Sequence, residues 1–137
     1  MNYIESLQQY KLKVTPQRLE ILDIIYQYGH INIDDLYNLL QKKFPTISLA
    51  TIYKNINTMC DNLLLSEVKI PNKKNLYELT KTEHIHLICT KCDNVSDIEL
   101  DISDLQSKIE LKSDYKVIDN SIVFSGICPQ CLKENNE

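Results

Sequence analysis

Two pairs of cysteines constrain this chain more than any other feature of its sequence. They are Cys89-Thr-Lys-Cys92 and Cys128-Pro-Gln-Cys131. A two-residue spacer lets both thiolates of a turn face one ion, and two such turns provide the four soft ligands of a tetrahedral zinc site. The alternatives are a redox-active C-x-x-C, for which no surrounding βαβ pattern is present, and cysteines buried as small apolar residues. The paired spacing favours structural zinc.

The composition indicates a folded protein and a cellular location. The chain has 137 residues, of which 43% are hydrophobic, and this excludes a disordered or collagen-like chain. No apolar run approaches the ~18 residues of a membrane span, and the amino terminus lacks the basic-then-apolar pattern of a signal peptide. We therefore expect a cytoplasmic protein with no membrane partner, whose paired cysteines bind metal rather than form disulfides. The remaining cysteine, Cys60, is expected in the core.

Residues 1–80 predict a winged helix-turn-helix domain. Thr15 is a typical N-cap with Pro16 at the first helical position, and Gly29 ends that helix. A second helix is predicted from Ile33, and a third follows the N-cap Ser48. The helices are predicted over about 15–29, 33–44 and 48–63, and the strands over 64–70 and 75–79 around a turn at 71–74.

Residues 81–84 predict a hinge, and residues 85–137 a small α/β dimerisation domain, so that the fold class is α+β. The predicted elements are strands at 84–88, 95–100 and 115–124 and a helix at 101–111. The helix is expected to bury Ile102, Leu105 and Ile109. The last strand is apolar on both faces, so the helix and a second chain are expected to cover it. A unit of this size is marginal alone, and zinc and homodimer formation would both stabilise it.

The outward face of the third helix carries side chains suited to double-stranded DNA. Lysine suits guanine or phosphate and asparagine suits adenine, although an ordinary solvated face has the same composition. Two lysines at the hairpin tip favour the DNA interpretation, because they would bind phosphates beside the helix. Residues 1–80 hold 9 basic and 8 acidic side chains, which favours a specific operator binder over a general coat. The residues predicted to contact DNA are Ala50, Thr51, Tyr53, Lys54, Asn57, Lys73 and Lys74.

The three histidines suggest a second metal site. His84 and His86 are two apart in a predicted strand, so their imidazoles project to the same side and can bind one ion; a polar surface is the alternative. His30 follows a helix end, where an exposed histidine is the simpler interpretation. Periodicity does not choose among the nearby carboxylates, which are Glu78, Glu83, Asp93 and Asp97.

Taken in order, these motifs resemble the ferric uptake regulator (Fur) family over nearly the whole chain. The resemblance is carried by Thr15-Pro16-Gln17-Arg18, His30-x-x-x-Asp34-Asp35-Leu36-Tyr37, Ser48-Leu49-Ala50-Thr51-Ile52-Tyr53, His84-x-His86-x-x-Cys89-x-x-Cys92 and Cys128-x-x-Cys131. It implies a dimeric, metal-dependent transcription factor. It also implies a structural zinc on Cys89, Cys92, Cys128 and Cys131, and a regulatory metal on His30, Glu78, His84, His86 and Asp97.

The resemblance implies a regulatory site without thiolates, which suits Fe(II), Mn(II) or Zn(II) and would clamp the two domains together. It also implies that Tyr53 and its outward neighbours meet the bases. An additional metal site of many relatives is expected to be absent or altered, because this chain has Asp119-Asn120 and Ile85 there. Asp97 is typical of peroxide-responsive relatives and Glu78 of iron-uptake regulators. We favour a peroxide-responsive repressor with Fe(II) or Mn(II), and keep an iron- or zinc-uptake regulator as the alternative.

Two other classes of function are less well supported by the sequence. A hydrolytic zinc site would need an open coordination position, but no H-E-x-x-H motif is present and no further histidine remains as a base. A thiol-disulfide protein would be controlled by reducing agents rather than metal. We therefore expect a protein that is not an enzyme and has no organic cofactor.

Overall fold

The computed structural model describes residues 1–80, 84–118 and 120–135. The chain divides into two compact units, Met1–Thr80 and Lys81–Glu137, called here the N-terminal and C-terminal units. Residues 81–83 of the predicted hinge, including Glu83, lie outside the described residues, as does Asp119. Within the described ranges, no helix is long and apolar enough to cross a membrane.

The N-terminal unit consists of four helices followed by a hairpin. The elements are α1 (Tyr3–Gln9), α2 (Pro16–Tyr28), α3 (Ile33–Lys43), α4 (Leu49–Asp61), β1 (Leu65–Val68) and β2 (Leu76–Leu79). Each helix begins at a residue whose side chain accepts a hydrogen bond from a backbone N–H three residues later, which satisfies one donor of the first turn. These caps are Asn2, Thr15, Asn32 and Ser48. The residue pattern did not predict α1, a short helix with one buried residue, Leu7.

The core of the N-terminal unit lies between its helices and the hairpin. On α4 the apolar stripe of Ile52, Ile56 and Met59 is completely buried, as its spacing predicts. Cys60 packs at the edge of this core. The hairpin is antiparallel, and Tyr77 of β2 exchanges two backbone hydrogen bonds with Ile31, at 3.1 and 2.9 Å. The strand pair is therefore held against the segment that leads into α3.

The C-terminal unit contains a three-stranded sheet and two helices. Its elements are β3 (His84–Cys89), β4 (Val95–Glu99), α5 (Ser103–Ser113), β5 (Val123–Gly126) and α6 (Pro129–Asn135). The strand order is β4-β3-β5, with β3 antiparallel to β4 and parallel to β5. The residue pattern did not predict α6, which follows Cys128 directly.

The predicted last strand over 115–124 is wrong in its position. The described residues from Tyr115 to Ile122 form no strand, and β5 begins at Val123. A strand needs a neighbour, and the described pairing of this segment with β3 runs from Ile122, whose carbonyl accepts a hydrogen bond from the His86 N–H at 3.1 Å, to Gly126. The alternation of apolar residues alone does not show where the pairing with β3 begins.

The prediction that the helix buries Leu105 and Ile109 is also wrong for the single chain. Their exposed fractions are 47% and 46%, and α5 contains no buried residue. Ile102, immediately before the helix, is buried at 6% exposure. The apolar stripe of α5 was correctly located in the sequence, but one copy of the chain does not cover it.

Candidate metal centre and nucleic-acid interface

The four paired cysteines meet in one cluster of the C-terminal unit. Cys89 ends β3 and Cys92 lies in the turn after it, whereas Cys128 precedes α6 and Cys131 lies in its first turn. All four sulfurs lie within 4.8 Å of one another, and those of Cys92 and Cys128 are 3.8 Å apart. Zinc–sulfur bonds of ~2.3 Å in a tetrahedron separate the sulfurs by about 3.8 Å. The cluster therefore fits a tetrahedral zinc ion.

Backbone N–H groups already support negative charge on the sulfur of Cys89. The N–H groups of Cys128 and Cys92 donate to it at 3.4 and 3.5 Å, and they lower the pKa of this thiol to about 6. The sulfur of Cys128 and burial raise the pKa of Cys131 to about 12. Cys131 therefore loses its proton near neutral pH only if a cation compensates the charge, as a bound divalent ion does.

The cluster joins the ends of two neighbouring strands, β3 and β5, that are far apart in sequence. Cys89 is in register with Gly126 across β3 and β5, and the Thr90 N–H donates to the Gly126 carbonyl at 2.8 Å. The Cys89 N–H donates to the Asn94 carbonyl at 2.9 Å, which closes the turn carrying Cys92. An ion bound here would fix both turns at the end of the sheet.

A second arrangement of metal-binding side chains lies on β3 and β4. His86 and Asp97 are directly opposite each other in the antiparallel register, and His86 Nε2 lies 3.7 Å from Asp97 Oδ1. His86 is buried, with 6% of its surface exposed. An imidazole and a carboxylate at this distance are donors suited to a divalent transition metal. His84 begins the same strand, but its side chain lies outside the described part of the structure.

The N-terminal unit holds the other two predicted regulatory ligands. His30 is partly buried and follows Gly29, whose φ of 81° ends α2. Glu78 lies on β2 with 1% of its surface exposed, which is unusual for a carboxylate. Asp93, an alternative oxygen ligand in the sequence analysis, is exposed in the turn that carries Cys92.

The predicted DNA-contacting residues of α4 all lie on its exposed face. Ala50, Lys54 and Asn57 are opposite the buried stripe, and Thr51 and Tyr53 lie on its two sides; all five are exposed. The helix begins after its N-cap Ser48, whose hydroxyl accepts a hydrogen bond from the Thr51 N–H at 3.2 Å. Its outward surface can therefore present hydrogen-bonding groups to base edges.

The sequence did not predict that Arg18 of α2 supports this helix. Arg18 Nε donates to Asn55 Oδ1 at 3.0 Å, and Arg18 Nη1 donates to the Lys13 carbonyl at 3.0 Å. Asn55 in turn donates to the Thr51 carbonyl. The one arginine of the chain thus connects the segment before α2 with α4. Its uniqueness in a lysine-containing chain was the available signal, because a guanidinium can bridge two acceptors where an ammonium is less suited.

The hairpin turn and α4 border a groove of about 380 Å³. Tyr53, Lys73 and Lys74 line it together with side chains from the start of α3 and from β2. The groove brings together three of the residues predicted to contact DNA, whereas Ala50, Thr51, Lys54 and Asn57 are not part of its lining. Lys74 is paired with the carboxylate of Asp34 on α3.

Comparison with known proteins identifies the group to which these features belong. A family model described as the ferric uptake regulator family matches residues 9–125. The peroxide-responsive repressor PerR of Staphylococcus epidermidis is 29% identical, with 97% of this chain and 90% of that protein covered. The ferric uptake regulation protein of Neisseria meningitidis serogroup A is 32% identical, with 95% and 93% covered.

A solved structure shares both fold and sequence with the chain. It is the peroxide stress regulator of Campylobacter jejuni, which is 37% identical, has a TM-score of 0.70, and is covered completely by 96% of this chain. The α+β fold class predicted from the sequence, with an N-terminal helical DNA-binding domain and a small C-terminal α/β domain, is confirmed by such structures.

Proposed function

The chain belongs to the ferric uptake regulator family, and on that basis we propose that it is a peroxide-responsive repressor that binds operator DNA as a homodimer. It is a metal-responsive transcriptional regulator, as its relatives are. We further propose that it responds to peroxide, represses transcription, forms a dimer and is located in the cytoplasm. One observation carries the DNA-binding part: α4 buries its apolar stripe completely and exposes its polar face.

Zinc in the cysteine cluster would have a structural role. Its support is the sulfur geometry within the C-terminal unit, where the Cys92–Cys128 distance equals the edge of a zinc tetrahedron. All four ligands would be protein sulfurs, so no position remains for a substrate. This arrangement supports a stabilising ion rather than a hydrolytic one.

The regulatory ion would take ligands from both units. Family resemblance assigns it to His30, Glu78, His84, His86 and Asp97. Within the C-terminal unit, support comes from the opposed His86 and Asp97; within the N-terminal unit, it comes from the buried carboxylate of Glu78. An ion held by residues of both units would fix their arrangement and thereby the spacing of the two α4 helices in a dimer. Loss of one ligand is expected to weaken DNA binding.

Fe(II) bound at this site supplies one-electron chemistry toward peroxide, whereas Mn(II) does not readily do so. The chain itself contributes imidazoles, which are oxidisable groups. In the overall change, one peroxide oxygen replaces an imidazole C–H by C–OH, and the other leaves as water, so peroxide is reduced and histidine oxidised. Cysteine oxidation is the competing route, but thiolates that bind zinc are less available to it.

A first experiment tests metal-dependent DNA binding. The full chain is titrated onto DNA from its own promoter region and onto random-sequence DNA, with Fe(II), with Mn(II) and with neither. We expect sequence-specific binding only with a regulatory ion. Binding that is controlled by reducing agents rather than metal would instead support a thiol redox protein.

A second experiment tests the peroxide signal. Iron-loaded and manganese-loaded protein receive the same low dose of peroxide, and peptides are analysed by mass spectrometry beside a DNA-binding measurement. We expect an added oxygen on His30, His84 or His86, with release of DNA, in the iron sample alone. Unmodified histidines and undiminished DNA binding would contradict peroxide sensing.

That contrary result would leave a regulator of iron or zinc uptake as the function. Two observations favour this second candidate: the carboxylate on β2 is Glu78, the residue typical of iron-uptake regulators, and a ferric uptake regulation protein is 32% identical to this chain. Such a regulator would respond to the concentration of the metal and not to peroxide.

A further inference from the structure

One of the two lysines at the hairpin turn is paired with an acid. The Lys74 ammonium donates a hydrogen bond to the carboxylate of Asp34, although the two residues are 40 positions apart in sequence. This contact raises the pKa of Lys74, chiefly through the hydrogen bond and then through the charge of Asp34. Both side chains are exposed to solvent. The pair is therefore accessible to a competing anion.

The pair lines the groove beside α4. Asp34 and Lys74 line the groove together with Tyr53 of α4 and Lys73 of the turn. A DNA backbone that entered this groove would place phosphates near a carboxylate as well as near the lysines. The negatively charged carboxylate and phosphate would repel each other, and the carboxylate would compete with the phosphate for the Lys74 ammonium.

The position of Asp34 on α3 does not by itself explain the pair. Acids in the first turn of a helix are favoured by the helix dipole, and α3 has two of them, Asp34 and Asp35. Asp35 already serves the helix start, since it accepts a hydrogen bond from the Asn32 side chain at 3.1 Å. Asp34 instead reaches the turn of the hairpin and the groove.

We propose that Asp34 restrains non-specific DNA binding by holding Lys74 away from phosphates. The inference rests on the proposed DNA-binding function. Because phosphates are the same in every sequence, the restraint acts equally on all DNA and makes binding depend more on base contacts from α4. An exposed ion pair is weak, so operator contacts can still overcome it.

The test compares four variants in the full chain loaded with Mn(II): Asp34→Asn, the matched control Asp35→Asn, Lys74→Gln, and Asp34→Asn combined with Lys74→Gln. Both single aspartate variants remove one negative charge from the same helical turn. Affinity for a short random-sequence duplex is measured by fluorescence anisotropy at several salt concentrations. Circular dichroism verifies that each variant is folded.

Asp34→Asn is expected to bind random DNA about two- to five-fold more tightly than Asp35→Asn does. Its dependence of log affinity on log salt should steepen by up to about 1, because one more lysine displaces a counterion. Both effects should disappear in the Lys74→Gln background. If Asp34 served only to stabilise its helix, Asp34→Asn would leave the salt dependence of binding unchanged. Its effect would also be the same with and without Lys74.

The inference is overturned if the two aspartate variants bind alike, or if the gain persists without Lys74. Failure of the wild-type protein to bind any duplex is a different result. It would remove the proposed DNA-binding function itself, and the inference with it.

Discussion

The two units of the chain differ in how much apolar surface they bury. Most of the buried hydrophobic side chains belong to the N-terminal unit, where Leu22, Leu36 and Ile56 are completely buried. Among the described residues of the C-terminal unit, the buried hydrophobic side chains are Ile88, Cys89, Ile102 and Cys131, and two of these are in the cysteine cluster. The C-terminal unit instead exposes large apolar side chains, among them Leu111, Tyr115, Ile118 and Phe124.

This difference indicates that the units depend on different sources of stability. Burial of apolar surface is the main favourable contribution to folding, and the N-terminal unit obtains it within one chain. A unit of fewer than 60 residues with little buried surface needs a metal ion, a second chain or both.

Loss of the zinc ligands should affect the C-terminal unit most strongly. Structural zinc contributes ~10 kcal/mol or more to folding in small domains. We expect Cys89→Ser and Cys128→Ser to lose zinc, to dissociate the dimer and to unfold the C-terminal unit, while the N-terminal unit keeps its core. Metal analysis measures the zinc content, size-exclusion chromatography the dimer, and NMR the folding of each unit through its own signals.

Cys60→Ser is the matched control for the zinc ligands. Cys60 lies at the edge of the N-terminal core, so its replacement should leave the zinc content unchanged. A stable dimer of Cys89→Ser that retains one zinc per chain would contradict the assignment of the cluster.

A cavity in the N-terminal core should have the reverse effect. Ile56 is completely buried on α4, and we expect Ile56→Ala to destabilise the N-terminal unit by about 2–5 kcal/mol without loss of zinc. Denaturant unfolding with metal analysis measures both. Leu63→Ala is the control, because Leu63 is 70% exposed and should contribute little. Release of zinc by Ile56→Ala would show that the two units are not independent in stability.

A charge on the exposed apolar surface of the C-terminal unit should weaken the dimer. Phe124 on β5 is 57% exposed in the single chain. We expect Phe124→Glu to weaken association by about 2 kcal/mol, as loss of a central aromatic contact does in interfaces, without unfolding the zinc-bound monomer. Analytical ultracentrifugation measures the dimer constant.

Tyr28→Glu provides the control for the dimer, because Tyr28 is 58% exposed on α2 of the other unit. It should leave the association constant unchanged. Equal dimerisation of both variants would locate the dimer surface away from β5.

The same contrast explains which parts of the structure the sequence could predict. The buried stripe of α4 and the two cysteine pairs of the cluster depend on short-range spacing, and both could be identified from residue patterns. The position of β5 depends on the extent of β3, and the exposure of Leu105 and Ile109 depends on what a single chain can cover. The pairing of Asp34 with Lys74 joins residues far apart in sequence, and no local pattern contains it.

The smallest effects are expected on the DNA-binding face of the N-terminal unit, where they should leave zinc and dimer unchanged. Lys54 and Asn57 are exposed on α4, and loss of a base contact costs ~1–3 kcal/mol and relaxes preference at one position. Lys54→Ala and Asn57→Ala should therefore lower affinity for the operator more than for random DNA.

Lys73→Ala should lower the affinities for operator and random DNA about equally and reduce the salt slope by roughly 1, because phosphates are common to all sequences. Titrations on both DNAs at several salt concentrations separate the two classes. A uniform, salt-linked loss in Lys54→Ala would show that Lys54 contacts phosphate, so that base recognition would have to come from other residues of α4.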